Sequence, residues 1–285
     1  MGICSLIIKL MPAPCIYGFA EKLGSFGYLV AKRQREIALE TLSIAFGGHK
    51  SRREMEEIAR ECFIFVAKSG VELLFLMDRP ALLKERVSIE GRQYLDDALS
   101  RGRGAILVSA HFGNFPLMLA YLSLSGYKTA GIMRPMRDTK VEKVFLAKRN
   151  RMGIKTIYSQ PRSSCVNNTI QALRNNELVV IPIDQNFGSG GVFVNFFGRK
   201  AATAPGPVVL AQRTGAVLLP CFIVRQKDDA HKIIFEPVLE LKEGQNSEET
   251  VLINIRHLTE IIESYIRRYP AEWGWFHRRW KSKPS

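Results

Sequence analysis

The residues best equipped for chemistry lie in one stretch, Ala105 to Leu117, AILVSAHFGNFPL. It opens with an apolar, β-branched run, Ala105-Ile106-Leu107-Val108, which predicts a buried strand. The strand leads through Ser109-Ala110 to His111, then Phe112-Gly113-Asn114, and a helix pattern starts at Phe115-Pro116. Proline is tolerated in a first helical turn because its missing N–H has no intrahelical partner anyway. A histidine at the C-terminal end of a buried strand, just before a helix, stands where open α/β sheets place their ligands. The free N–H groups and positive dipole end of that helix disfavour an imidazolium at His111. They also welcome a negative charge developing nearby. A neutral imidazole beside such donors suits the movement of an acyl group onto a hydroxyl. Taken alone, such a histidine is more often a structural residue with its hydrogen bonds satisfied.

Two further strand ends carry polar residues. Thr129 to Met133 predicts a strand that ends at Arg134-Pro135, and Leu178 to Asp184, LVVIPID, predicts a strongly apolar one that ends at Asp184-Gln185. In one sheet, the three ends would bring His111, Arg134, Asp184 and Gln185 to a common edge, a better site signal than any one of them. Arg134 as a surface ion-pair residue and Asp184 as a turn cap are the plain alternatives. The loop Gln185 to Arg199 holds Gly188-Ser189-Gly190-Gly191 and then Phe196-Phe197-Gly198, with no GxGxxG pattern. Two aromatic residues in a polar loop tend to cover a cavity or touch lipid. In the tail, Trp273, Trp275 and Trp280 interleave with Arg278, Arg279, Lys281 and Lys283. That mixture reads as a membrane interface, as nucleic-acid stacking, or as packing against the domain.

The elements that must position these residues alternate. Helices are expected at 32–46, ended by Gly47-Gly48, and from the capping box Ser51-Arg52-Arg53-Glu54 to about Met77, broken by Asp78-Arg79-Pro80. A short strand at Val87-Ser88-Ile89, a helix at 92–100 and a turn at 101–104 lead into the His111 strand. Helices at 115–124, 140–152, 166–175, 205–214 and 246–269 alternate with strands at 129–133, 155–158, 178–184, 217–224 and 232–235. The fold class is therefore α/β: a mixed, largely parallel sheet covered by helices, with an N-terminal helical leader. Residues 1–30 read as a membrane-interface segment and 31–285 as a single α/β domain whose helical leader is 31–86.

Charge narrows the partners. Lys and Arg total 41 against 27 acidic residues, a net +14. The partner is therefore expected to be anionic: a membrane surface, nucleic acid, or an acidic protein or substrate. Charge alone suggests nucleic acid, and it explains neither the His111 stretch nor the Phe loop. The five cysteines, Cys4, Cys15, Cys62, Cys165 and Cys221, lack CxxC spacing. They indicate neither a zinc site nor a disulfide framework, and they fit a reducing, cytosol-facing setting. Ile3 to Val30 is apolar but broken by Lys9, Pro12, Pro14, Glu21 and Lys22. It falls short of the roughly 18–20 uninterrupted apolar residues of a membrane span. It reads as a segment lying along the bilayer interface or as a helix capping the protein's own core.

In order along the chain, these residues resemble the lipid A biosynthesis acyltransferases, the lauroyl and myristoyl transferases of the lysophospholipid acyltransferase superfamily. The matching positions are Gly104 to Asn114 as GAILVSAHFGN, Arg134-Pro135, Arg149, Asp184-Gln185-Asn186, and Gly191 to Gly198 as GVFVNFFG. They continue through Thr203, Pro205, Arg225 and Ala271 to Lys281 as AEWGWFHRRWK, and the leader contributes Arg35 and Phe46. The resemblance implies an enzyme on the cytoplasmic face of the inner membrane. It would move a fatty acyl chain from acyl carrier protein or acyl-CoA onto a hydroxyl of a lipid A precursor, without further cofactor or metal. It places His111, Arg134 and a carboxylate in catalysis, and Gly113, Asn114, Arg149, Gln185, Phe196, Phe197 and Arg225 at the substrate. The basic clusters Lys148-Arg149-Arg151 and Arg278 to Lys283 would meet acidic acyl carrier protein or lipid phosphates, and the Phe loop would wall an acyl slot.

One position departs from the family. The family motif is a histidine, four residues, then an acidic residue, and that last position here is Pro116. Either another carboxylate partners His111, with Asp184 the first candidate and Glu72 the second, or a backbone carbonyl holds its Nδ1–H, or this branch keeps only lipid binding. The departure also admits a different glycolipid or phospholipid acceptor.

Overall fold

The computed structural model describes residues 13–284. Cys4 and the first part of the segment read as membrane-interfacial lie outside the described residues. Helices α1 (Ala13–Val30), α2 (Lys32–Phe46), α3 (Arg52–Phe75) and α4 (Pro80–Glu85) come first. Then follow β1 (Val87–Glu90), α5 (Arg92–Ser100), β2 (Ala105–Ser109), α6 (Phe115–Leu124), β3 (Thr129–Met133) and α7 (Thr139–Arg151). Next are β4 (Ile154–Tyr158), α8 (Arg162–Arg174), β5 (Leu178–Pro182), β6 (Val192–Phe196) and β7 (Arg199–Thr203). The chain continues with α9 (Gly206–Thr214), β8 (Val217–Arg225), β9 (His231–Phe235) and α10 (Ser247–Arg268).

The main sheet has seven strands in the order β1-β9-β8-β2-β5-β3-β4. Strands β8, β2, β5, β3 and β4 run parallel, and β9 turns back antiparallel against β8 with β1 parallel to it. The sheet is thus mixed and largely parallel, as expected. Helices cover both faces, which is why β2 and β5 are apolar at nearly every position. Alternate side chains feed the two cores. Ile106, Val108, Val179 and Ile181 pack on one face, and Leu107, Leu178 and Val180 on the other. The register matters most at the C-terminal ends. Ser109 pairs with Pro182, so two residues further on His111 and Asp184 arrive side by side. Strand β3, next to β5, ends just before Arg134.

The Ser51 capping box forms as expected, with Ser51 and Glu54 bonded reciprocally. Helix α8 starts at Arg162 rather than near Val166. Its first turns are solvent-facing and polar, so they carry no apolar periodicity. The loop expected from Gln185 to Arg199 contains a hairpin, β6–β7. Its two central residues, Phe197 and Gly198, have φ of 52° and 75°. Two left-handed residues suit a tight hairpin turn, normally signalled by Asn-Gly; Phe-Gly hides the signal. Phe197 is held there by its N–H, which donates to Glu263 Oε2 at 2.6 Å, and by edge contact with Phe46.

The tryptophans of the tail turn into the fold and pack against the domain, while Arg278, Lys281 and Lys283 are exposed. Trp273 and Trp275 are 1% and 0% exposed. They pack with Phe46, Phe196, Phe197 and Trp280 in one aromatic cluster. Inside the fold each indole N–H finds an acceptor, that of Trp275 being Pro270 O at 2.6 Å. Buried Arg279 donates to Gln185 O, Ala202 O and Thr203 Oγ1, tying the tail to the loop after β5 and to the hairpin.

Helix α1 has two faces. Ile16, Ala20 and Gly24 point inward, and a Cβ at Gly24 would lie 2.4 Å from Ile64 Cα, so α1 and α3 touch backbone to backbone there. Phe19, Leu23, Phe26, Leu29 and Val30 remain exposed. Among the described residues, no helix is long and apolar enough to cross a membrane.

The buried tail makes a stability prediction. Trp275→Ala should destabilise the protein by about 3–5 kcal/mol, measured as a shift in chemical denaturation midpoint. An unchanged midpoint would mean that the indole is outside the core.

Candidate active site

His111 sits two residues beyond β2, held between two elements that meet only in the folded chain. Its backbone N–H and its Nδ1 both lie 2.9 Å from Asp184 Oδ1. The other carboxylate oxygen, Oδ2, accepts the Trp273 indole N–H at 2.7 Å. The Asp184 side chain is 1% exposed, while that of His111 is 36% exposed. An Nδ1–H donated to Asp184 leaves Nε2 as the ring's lone-pair nitrogen, on the side away from the carboxylate. Glu72 is not the partner. It is buried elsewhere and accepts from Arg225 Nη1 and Nη2 at 2.6 and 2.8 Å, His231 Nε2 at 3.0 Å and Asn114 Nδ2 at 2.9 Å.

Electrostatics correct one expectation. The start of α6 was expected to keep His111 uncharged. Burial does oppose the imidazolium, but the charge and hydrogen bond of Asp184 outweigh it, and the pKa of His111 lies above its ordinary value. For Asp184, burial raises the pKa, but the His111 charge and the hydrogen bonds from His111 and Trp273 more than offset this and hold it below the usual range.

A cavity of about 350 Å³ opens beside the ring. Its walls are apolar: Leu73, Met77, Phe115, Leu119, Ile154 and Val180 among others. Its polar lining comes from His111, Arg134 and Arg149. Pro116, at the family's acidic position, also lines it. Arg134 is exposed, whereas Arg149 is largely buried and paired with Glu142 at 2.6 Å.

The other expected site residues fall elsewhere. Gly113 is at φ +59°, and a Cβ there would strike Ile223 O, so glycine is required. Its N–H donates to Glu272 O at 2.9 Å and so is already committed within the fold instead of being offered to a substrate. Asn114, Gln185, Phe196, Phe197 and Arg225 do not line the cavity. Asn114 and Arg225 are bound to Glu72, and the Gln185 side chain points to solvent. Phe196 and Phe197 belong to the aromatic cluster instead of walling a slot, because the hairpin turns them inward. The cluster Lys148-Arg149-Arg151 is paired within the fold, Lys148 and Arg151 sharing Asp78 and Arg149 on Glu142. Trp273 at Asp184 and the Glu72 assembly were not anticipated. A lone carboxylate in the apolar run Val71-Glu72-Leu73-Leu74-Phe75 was the available sign of a buried charge needing partners.

An α/β sheet with an imidazole–carboxylate pair at its edge and an apolar slot beside it is equipment for acyl chemistry, and this protein is an O-acyltransferase, similar to proteins that are named acyltransferases. Residues 2–282 match the family described as bacterial lipid A biosynthesis acyltransferase, and the chain belongs to that family. It is 26% identical over 306 residues to the lipid A biosynthesis palmitoleoyltransferase of Escherichia coli K12, covering all of this chain and 90% of that one. It is 26% identical over 292 residues to the lauroyltransferase of the same organism, covering all of this chain and 91% of that one. A phosphatidylinositol mannoside acyltransferase of Mycobacterium tuberculosis is 25% identical over 193 residues, 67% of this chain and 59% of that one.

The carboxylate's hold on the ring is testable without an activity assay. In Asp184→Asn the charge that raises His111 is gone while burial remains. The His111 ring should then titrate below the ordinary histidine value of about 6.5, followed by NMR and assigned by its loss in His111→Ala. A titration unmoved from wild type would exclude Asp184 as its partner.

Proposed function

We propose that this protein transfers a fatty acyl chain from an acyl thioester, carried by acyl carrier protein or CoA, to a hydroxyl of a lipid A precursor, with His111 as general base. The observation that carries this reading is His111 itself, braced by Asp184 at Nδ1 and lining an apolar cavity. Nε2 takes the proton from the acceptor hydroxyl, and the oxygen attacks the thioester carbonyl carbon. The C–S bond then breaks, and the thiolate takes the proton back from Nε2. No acyl-enzyme forms, because the acceptor attacks directly. The higher basicity conferred by Asp184 favours proton removal once the ring is neutral. The oxyanion is met by Arg134 at the cavity rim and by the Phe115 N–H, which begins α6 and has no intrahelical acceptor. The apolar walls take the acyl chain.

The net charge of +14 matches a phosphorylated acceptor and an acidic carrier protein. With Lys148, Arg149 and Arg151 already paired, the basic surface for the carrier is exposed Arg134, which lines the cavity, with exposed Arg137, Lys140 and Lys143 following it in the chain. The exposed stripe Phe19, Leu23, Phe26 and Val30 on α1 would lie in the interface of an anionic membrane, the cytoplasmic face of the inner membrane. The similarity to a phosphatidylinositol mannoside acyltransferase favours one second reading, a different glycolipid as acceptor.

With purified protein, acyl-carrier-protein and acyl-CoA donors, and a lipid A precursor as acceptor, transfer is expected, and His111→Ala should lower kcat by about 10²–10⁴-fold. Transfer only to phosphatidylinositol mannoside would move the acceptor to the second reading. Near-normal turnover in His111→Ala would overturn the mechanism. In wild type, kcat/KM should rise with pH and level off above the pKa of His111, which places that limb above pH 6.5. For the membrane, Leu23→Ser with Phe26→Ser should weaken binding to phosphatidylglycerol vesicles by about 10²–10⁴-fold, each apolar side chain contributing about 1.5–3 kcal/mol. Unchanged sedimentation with vesicles would remove α1 from the interface.

A further inference from the structure

The segment after α10 grips the His111 loop in three consecutive residues. Glu272 O accepts the Gly113 N–H at 2.9 Å, and the Gly274 N–H donates to His111 O at 3.2 Å. Between them, Trp273 stands opposite Phe112 in an antiparallel bridge and extends its indole N–H 2.7 Å to Asp184 Oδ2. Backbone and carboxylate of the pair are therefore held by the same short piece of chain. That piece is itself anchored. The Cys62 thiol of α3 donates to Trp273 O at 3.2 Å, and the indole packs on Phe196 and Trp275 with ring centroids 5.7 and 4.6 Å away.

A carboxylate turns easily about its terminal torsion, which is broad and roughly two-fold. Asp184 Oδ1 receives both bonds from His111, so His111 alone fixes one oxygen. The second oxygen needs its own donor to stop the rotation, and Trp273 supplies it from a side chain that is 1% exposed. We infer that Trp273 is a positioning residue for acyl transfer: its indole N–H locks the Asp184 carboxylate in the orientation that holds His111 Nδ1–H and turns Nε2 to the cavity. This rests on the reading of His111 as the base. It adds a third member to the pair, contributed by the C-terminal segment, and makes the packing of that segment a condition of turnover.

Trp273→Phe removes the N–H and keeps a ring in the aromatic cluster. Outer partners that orient metal-bound histidines typically contribute about 10- to 100-fold to activity, and the indole orients a histidine through a carboxylate in the same way. In Trp273→Phe, kcat should fall by about that factor with KM for the acyl donor unchanged. With the carboxylate free to turn, its contact with Nδ1 loosens, so the His111 titration and the lower limb of kcat/KM should both move to lower pH. In Asp184→Asn, adding Trp273→Phe should change kcat no further, because the indole acts through the carboxylate. An unchanged kcat and an unmoved titration in Trp273→Phe would overturn the inference. So would a full additional loss in the Asp184→Asn background, or a titration moved to higher pH, which would mean that the indole only attenuates the carboxylate's charge. A low kcat accompanied by an equally raised KM in a variant that folds would also overturn it, because a positioning role leaves donor binding intact. Full activity in His111→Ala or Asp184→Asn is the separate result that would remove the underlying mechanism. If Trp273→Phe does not fold, Trp273→His, which keeps a ring N–H, should retain more turnover than Trp273→Leu; equal turnover would count against the inference.

Discussion

A buried carboxylate must be paired, and most of the architecture around this site follows from that requirement at Asp184. An ionised side chain removed from water is penalised by several kcal/mol unless charge and hydrogen bonds replace hydration. Asp184 is answered by the His111 ring, the His111 backbone N–H and the Trp273 indole. These donors come from the end of β2 and from the chain after α10, so sheet register and tail packing must both be correct. The arrangement also makes the histidine asymmetric. One ring nitrogen is committed to the carboxylate, and the other is left without it on a ring that lines the slot.

A second buried polar assembly sits behind the first and differs in kind. Glu72 is surrounded by Arg225, His231 and Asn114, and its burial is more than offset by those partners, which bring its pKa down to about 2. It joins α3, β8, β9 and the start of α6, and it opens onto no part of the slot. Asn114 turns its amide to Glu72 and Ser69 O instead of capping its own helix. This assembly therefore sets where α6 begins, and so where Phe115 and Pro116 face His111. Nearby Glu272, buried and close to Glu72, is pushed up to about 8. A neutral carboxyl there avoids placing a second negative charge in the same interior.

Pro116 then has a coherent place. The family motif puts a carboxylate in the first turn of the helix after the histidine. Here that turn supplies apolar surface to the slot, and the carboxylate comes from the end of the neighbouring strand. The ring is oriented through Nδ1 by the neighbouring strand end and not by the helix. Proline fits the position sterically because the first turn needs no N–H from it.

Much of the chain was legible locally. Helices at 32–46, 92–100 and 115–124, the capping box at Ser51 and the buried strands at 105–109 and 129–133 all follow from periodicity, caps and breakers within a few residues of each other. The convergence of His111, Arg134 and Asp184 on one edge was also readable, because parallel strands deliver their ends to the same side. The partner of His111 was not. Asp184 and Glu72 were both open to it until the register Ser109–Pro182 brought positions 73 apart within 2.9 Å. The inward turn of the tryptophans, the pairing of Lys148, Arg149 and Arg151, and the Phe-Gly hairpin were hidden for the same reason. Local patterns state what a residue can do, whereas its partner is set by which distant side chain the packing brings within hydrogen-bond reach.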